Sequence, residues 1–200
     1  MGRSDISGER ETRMGTWLRL GRTVVSALLA PRLAVPDGTS VLTMRVWPND
    51  LDFNAHMNNG RYLTLMDLGR VDLLLRAGLG RTILAKRWTA VLTGATIRYR
   101  RSLKPFQRFR LETSIAGWTE HAVFIEQRFI IASGAQAGEV AASAAVRASL
   151  LHPGSPARKV RITELFAALG LAPRSPPLPE IFVQLGAGTA SIPPLKEDAI

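Results

Sequence analysis

Residues 59–77 constrain this chain more than any other stretch. Tyr62, Leu65, Met66, Gly69, Leu73 and Ala77 recur at three- and four-residue steps, the spacing of one helical face. Leu63, Leu68, Leu74 and Leu75 carry the apolar surface well beyond a single stripe. A helix that is apolar on most of its circumference has to be wrapped by other structure. Asn58 or Asn59 supplies a natural N-cap, and Gly78 a C-terminal stop.

The wrapping comes next in the sequence. Four strand-like runs follow at 89–103, 108–118, 122–132 and 140–151, with Pro105, Thr119-Glu120 and Ser133-Gly134 as turns. The short spacing of the last three predicts antiparallel hairpins. A further strand, 41–47, precedes the helix; it follows the turn Pro36-Asp37-Gly38 and is broken by Pro48-Asn49-Asp50. The order predicts an α+β fold in which a curved antiparallel sheet of about five strands wraps one long central helix. A sheet this small leaves an edge and an incomplete core, so a symmetric homodimer, or a higher even oligomer, is expected.

The flanks differ in composition. Residues 1–13 are polar and read as a mobile tail, and 14–30 read as a helix ended by Pro31. Arg19, Arg22 and Arg32 interrupt the apolar run 14–35, so it does not span a membrane. Asp5, Glu9 and Glu11 dilute any basic leader, which argues against a signal peptide. The segment reads as a basic amphipathic helix lying on the protein itself, in preference to a membrane surface. Near the other end, 163–169 read as a short helix closed by Gly170, and beyond Pro173 the prolines 176, 177, 179, 193 and 194 predict an extended tail. The domain organisation is thus an extension at 1–40, a central domain at 41–152 and a helix with Pro-rich tail at 153–200.

Two hundred residues, 46% of them hydrophobic, suit one domain with tails. The absence of cysteine excludes disulfides, Cys-ligated zinc and a Cys nucleophile, and fits a reducing, cytoplasmic setting. His56, His121 and His152 share no metal-ligand spacing, so neither a metal site nor a cofactor is expected. The formal net charge of +10 suits an anionic partner such as CoA phosphates or an acidic carrier protein. Tyr99, Phe106 and Phe109 interleave with basic residues, but without an RNA-binding signature nucleic acid is not the expected partner.

The densest polar cluster joins the first strand to the buried helix. Residues 49–59 hold Asp50, Asp52, Asn54, His56, Met57, Asn58 and Asn59. The first backbone N–H groups of a helix lack internal partners and carry partial positive charge, which suits a developing oxyanion. A carboxylate beside them could attack a carbonyl or take a proton from water. Asp and Asn are also the commonest turn and capping residues, and Asn58 and Asn59 fit that role. A second basic feature comprises Arg98, Arg100, Arg108 and Arg110, at even steps along their strands, so each strand presents a charged face. Such a face suits CoA phosphates, or simply solvent.

The string Asp50-Leu51-Asp52-Phe53-Asn54-Ala55-His56-Met57-Asn58-Asn59-Gly60-Arg61-Tyr62-Leu63 resembles the DLDxxxHxNNxxYL signature of the hotdog-fold thioesterase superfamily. The likeness continues through Ile97-Arg98-Tyr99-Arg100-Arg101-Ser102-Leu103 and Gly117-Trp118, covers 41–151, and runs to the group around thioesterase superfamily member 6. It implies a dimeric hotdog fold and hydrolysis of acyl-CoA or acyl-ACP thioesters. Bacterial 4-hydroxybenzoyl-CoA thioesterases use an Asp at the position matching Asp50. Plant acyl-ACP thioesterases carry an Asp-x-Asn-x-His triplet, matched by Asp52, Asn54 and His56. Those plant enzymes place a Glu where this chain has Ser102. The resemblance also marks Asp67, where many relatives have Glu, as an auxiliary carboxylate; an ion pair with Arg70 or Arg61 is the plainer reading. By the same likeness the amides of Met57, Asn58 and Asn59 would hold the thioester oxygen. The competing readings are a hotdog dehydratase, whose motif is missing, and a non-catalytic acyl-CoA-binding or interaction module.

Overall fold

The computed structural model describes residues 5–187. Five helices and six strands follow one another as α1 (Asp5–Leu29), β1 (Ser40–Arg45), α2 (Asn59–Arg76), α3 (Leu79–Ala85), β2 (Thr89–Tyr99), β3 (Arg108–Trp118), β4 (Val123–Ile131), β5 (Val140–His152), β6 (Ser155–Lys159), α4 (Ile162–Ala167) and α5 (Glu180–Ala187). A 3-10 turn, Pro48–Asp50, leads out of β1. The six-stranded antiparallel sheet has the order β1-β3-β4-β5-β2, with β6 added to β5. Register shifts at Leu92/Gly94 and Ile115/Gly117 mark bulges, which bend strands and increase their twist.

The α2 helix starts where expected. Asn58 is its N-cap, its Oδ1 accepting from the Gly60 amide at 2.8 Å, and Asn59 opens the first turn. Gly78, at φ 75°, ends it in a left-handed conformation that costs glycine nothing. The inner face of α2 packs Tyr62, Leu65 and Met66 against Phe109, Leu111 and Phe129 from the sheet. Ala142 and Ala144 of β5 join the same core, small enough for close approach.

Gln127, fully buried on β4, bolts helix to sheet. Its Nε2 donates to the Met66 carbonyl at 2.9 Å and to Thr113 Oγ1 at 3.0 Å. Its Oε1 accepts from Arg70 at 2.7 Å. Gly69 permits this approach, because a Cβ there would collide with Thr113 Oγ1 and sit 3.0 Å from Gln127 Nε2 and Leu111 Cδ2.

Four features depart from the sequence reading. The first helix begins at Asp5, so most of the stretch 1–13 expected as a mobile tail is helical; residues 1–4 lie outside the described residues. Gly78 was expected only to stop α2, yet it is also the N-cap of α3. A sixth strand, β6, follows the left-handed Gly154, its Pro156 tolerated because β6 lies off the main strand path. The tail expected to be extended forms α5, whose Phe182 meets Phe124 edge-on at 5.8 Å over the outer face of the sheet. The prolines 193 and 194 lie outside the described residues.

Two predictions follow from this packing. Gly69→Ala adds about 1 kcal/mol of helix propensity, but overpacking costs about 1–3 kcal/mol and threatens the Gln127 hydrogen bonds. Denaturant unfolding is expected to show a lower midpoint, with Gln127→Leu lowering it too. Burial pushes the Tyr62 phenol up from 10.0 to about 12, helped by Tyr99 and opposed by a backbone hydrogen bond from Leu103. Its contribution to stability is therefore intact below pH 10 and lost as pH rises toward 12. Ultraviolet titration is expected to show the Tyr62 phenolate appearing only with alkaline unfolding.

Candidate active site

Asp50 is 0% exposed, at the end of the 3-10 turn beneath the start of α2. Arg19 of α1 donates to it through both terminal nitrogens, at 3.0 Å to Oδ1 and 2.6 Å to Oδ2. Arg61 of α2 donates to Oδ1 through Nε at 3.1 Å and Nη2 at 2.9 Å. The Trp47 amide donates to Oδ2 at 2.9 Å. A carboxylate offers about four lone-pair positions, so these bonds saturate Asp50. Its position is that of a buried charge holding two helices, a nucleophile's geometry only if a guanidinium withdraws. Arg19 was visible in the sequence as a charge interrupting an apolar run; nothing there named its partner.

The loop after Asp50 is built on Asp52. Its Oδ1 accepts from the Asn54 amide at 2.8 Å and the His56 amide at 3.1 Å, and Ala55 sits at φ 54°. This is an Asx-type turn that leaves Asp52 half-buried with Oδ2 unpartnered among the described residues. Asn54 is exposed and His56 half-buried; among the described residues neither side chain makes a hydrogen bond. The Met57 amide donates to the Leu103 carbonyl at 2.9 Å and the Asn58 amide to the Asp50 carbonyl at 2.8 Å. The expected oxyanion contacts from Met57 and Asn58 are therefore corrected: both donors are already used by the loop's own structure. Asn59, first in the helix, is the amide this end still offers.

A cavity of about 490 Å³ lies between the outward side of α2 and the β2–β5 half of the sheet. Its walls are mainly aliphatic, with Val71, Leu74, Leu92, Ile125 and Leu150 among them. From Thr64 to Leu74 it follows α2 for about 15 Å at 1.5 Å per residue, before reaching Leu79 and Ile83 of α3. Asp67 is the one carboxylate in its lining. It is largely exposed and pairs with Arg70, whose other terminal nitrogen is held by Gln127. Sequence reasoning ranked Asp67 below the loop because nothing in the chain marks which face of α2 borders a cavity. It also gave α1 no part in the site, although Thr16, Trp17 and Leu20 line the same space.

The four arginines do not form one rim. Arg98 and Arg100 lie on and just beyond β2 at one side of the sheet, while Arg108 and Arg110 lie on β3. Strands β5 and β4 intervene, so at about 4.8 Å per strand the pairs stand roughly 14 Å apart. Arg108 instead faces Arg45 across β1 and β3, and Arg110 reaches Glu112 at 3.8 Å. Alternation along a strand reveals its face but not its neighbours, which is why the grouping failed. Among the described residues no cluster of His, Cys, Asp and Glu has the makings of a metal site, and no helix is long and apolar enough to cross a membrane.

Comparisons with known proteins place this geometry. The chain is similar to protein THEM6 of Xenopus laevis, 42% identical over 85 residues, which are 42% of this chain and 41% of that protein. Protein THEM6 of Drosophila melanogaster is 31% identical over 118 residues, 58% of this chain and 61% of that one. The chain therefore spans less than two thirds of the length of these curated relatives. Among solved structures, YbaW, a probable thioesterase from Escherichia coli, superposes with a TM-score of 0.59 at 20% identity, over 65% of this chain and 96% of that one. A 4-hydroxybenzoyl CoA thioesterase complexed with 4-hydroxybenzoyl CoA gives 0.57 at 10% identity, over 64% and 97%. These likenesses show the fold, a hotdog arrangement of curled sheet and central helix. Residues 46–183 match the model of the thioesterase-like superfamily, and the chain belongs to that superfamily.

Proposed function

We propose that this protein hydrolyses acyl-CoA thioesters, holding the acyl group in the cavity beside α2. The observation that carries this reading is a single carboxylate, Asp67, in the lining of a mainly aliphatic cavity of about 490 Å³. That volume lies within the range of small-molecule sites, about 300–1,000 Å³. Asp67 takes a proton from water as the water oxygen attacks the thioester carbon. The carbon–sulfur bond then breaks and the proton passes to the departing thiolate, giving free acid and thiol. Arg70, fixed by Gln127, positions the carboxylate. The Asn59 amide, at the positive end of α2, is the donor available to the oxyanion.

A second assignment has its own support. Asp52 keeps one oxygen unpartnered among the described residues, with His56 and Asn54 beside it and free to orient water or substrate. In that case Asp52 is the base and Asp67 assists. Asp50, saturated by two guanidinium groups, takes the architectural role in both.

The proposed assembly is a homodimer. Strand β2, eleven residues long, ends the sheet order, and among the described residues β5 is the strand it pairs with. Unpaired edges of that length invite pairing with another chain. Pairing there would close the cavity side of α2. Arg98 and Arg100 at this edge, rather than all four arginines, are the residues proposed for CoA phosphates.

Carboxylate variants assayed with one acyl-CoA separate the roles. A general base is worth about 10²–10⁴-fold in rate, so Asp67→Asn is expected to lose that much kcat with its melting temperature unchanged. If Asp52→Asn shows the loss instead, the second assignment holds. Asp50→Asn leaves two largely buried guanidinium groups short of a counter-charge and is expected to cost about 3–5 kcal/mol of stability. Wild-type turnover in both Asp52→Asn and Asp67→Asn would overturn the mechanism, and wild-type protein that binds but never hydrolyses acyl-CoA would be a binding module. Light scattering is expected to give a dimer; an active monomer would refute the assembly.

A further inference from the structure

We infer that α1 is the selectivity wall of the acyl cavity, with Trp17 and Leu20 deciding which acyl groups fit. This rests on the assignment of the cavity to the acyl group. The region matching the superfamily model begins at residue 46, so α1 stands outside it. Yet α1 is built into the site. Thr16, Leu20, Thr23 and Ala27 recur at four- and three-residue steps, which places them on one face. Thr23 and Ala27 are buried, and Leu20 packs on the main core.

The helix is held in register at its middle. Arg19 spans Asp50 and the Arg45 carbonyl, at 3.2 Å from the latter. Arg61 couples the same Asp50 to Thr16, its Nη1 donating to Thr16 Oγ1 at 3.3 Å. Polar bonds of this kind, made largely out of water, fix one position along the α2 axis instead of a sliding contact. That position puts Thr16, Trp17 and Leu20 in the cavity lining with Thr64 and Asp67.

Trp17 is the informative residue. Its side chain borders the cavity and is still 65% exposed. An indole in that position gains burial only when something apolar fills the space beside it. Leu20, half-buried one turn on, limits the space from the inner side. The far end, near Leu79, Ile83 and Phe166, is closed by packed core. Acyl groups are therefore sized between a fixed floor and an α1 wall, and the class favoured is an unbranched aliphatic chain that can run along α2.

The test uses the full chain with a series of saturated acyl-CoAs of increasing length, and their non-hydrolysable thioether analogues. kcat/KM is measured on the first and Kd by calorimetry on the second, for wild type, Trp17→Ala, Trp17→Phe and Leu20→Trp. In a hydrophobic pocket one methylene changes discrimination by about tenfold or more. Trp17→Ala is expected to shift the long-to-short preference by about that factor in both measurements, with Trp17→Phe keeping the wild-type profile. Leu20→Trp is expected to lose the longest chains first; if it does not fold, Trp17→Ala alone decides. Unchanged length profiles in folded Trp17→Ala overturn the inference while leaving hydrolysis intact. Shifted Kd profiles without turnover in any protein sustain the wall and refute the hydrolase reading. Failure of every analogue to bind overturns both.

Discussion

The Asp50 carboxylate sits fully buried between the guanidinium groups of Arg19 and Arg61, and three separate parts of the fold meet at it. Arg19 brings α1, Arg61 brings the first turns of α2, and the Trp47 amide brings the end of β1. A buried ion of either sign is costly alone; here the cost is offset only when all three elements are in place. The Asp50 backbone carries the linkage onward, its carbonyl accepting from the Asn58 amide that opens α2. The helix start, the Asp52 loop and the α1 wall are therefore parts of one arrangement.

The cavity follows from how α2 is held. Its inner face is drawn onto the sheet by Gln127, Gly69 and the Tyr62 cluster, with Tyr62 edge-on to Phe129 at 4.8 Å. Helix α2 packs on β1 and β3, while β2 meets its first turns at Tyr99, whose hydroxyl donates to the Asn59 carbonyl at 3.2 Å and whose ring lies 5.1 Å from that of Tyr62. A rigid cylinder against one half of a curved sheet leaves space along the other half. That space is lined by whatever the outward side of α2 presents, here Thr64, Asp67, Val71 and Leu74. Of these, the sequence alone placed Leu74 on the apolar surface of a buried helix and marked Asp67 as an auxiliary carboxylate.

What could be read in advance was set by local rules. The central helix, its Asn58 cap and the five main strands follow from periodicity and turn chemistry, which act over a few residues. The missed elements are those for which one residue has two uses. Gly78 both ends α2 and starts α3, and the prolines before α5 read as an extended tail although Pro179 accepts the first helical bonds from Phe182 and Val183. In the site, Asp50 and Asp52 were indistinguishable as neighbouring acids in one loop. Only the three-dimensional positions of Arg19 and Arg61, 31 residues before Asp50 and 11 after it, separate a saturated carboxylate from one with an open oxygen. The arginines of β2 and β3 were grouped for the same reason: strand order is not written in strand alternation.

The central claim is that an acyl chain lies along the outward side of α2 with its thioester beside Asp67. A crystal structure of the protein with a non-hydrolysable thioether analogue of an acyl-CoA tests it most directly. The account predicts the chain between Val71, Leu74 and Leu92, under Trp17, with the thioether within one water of the Asp67 carboxylate. An acyl chain bound elsewhere, with this cavity empty or closed, would contradict it.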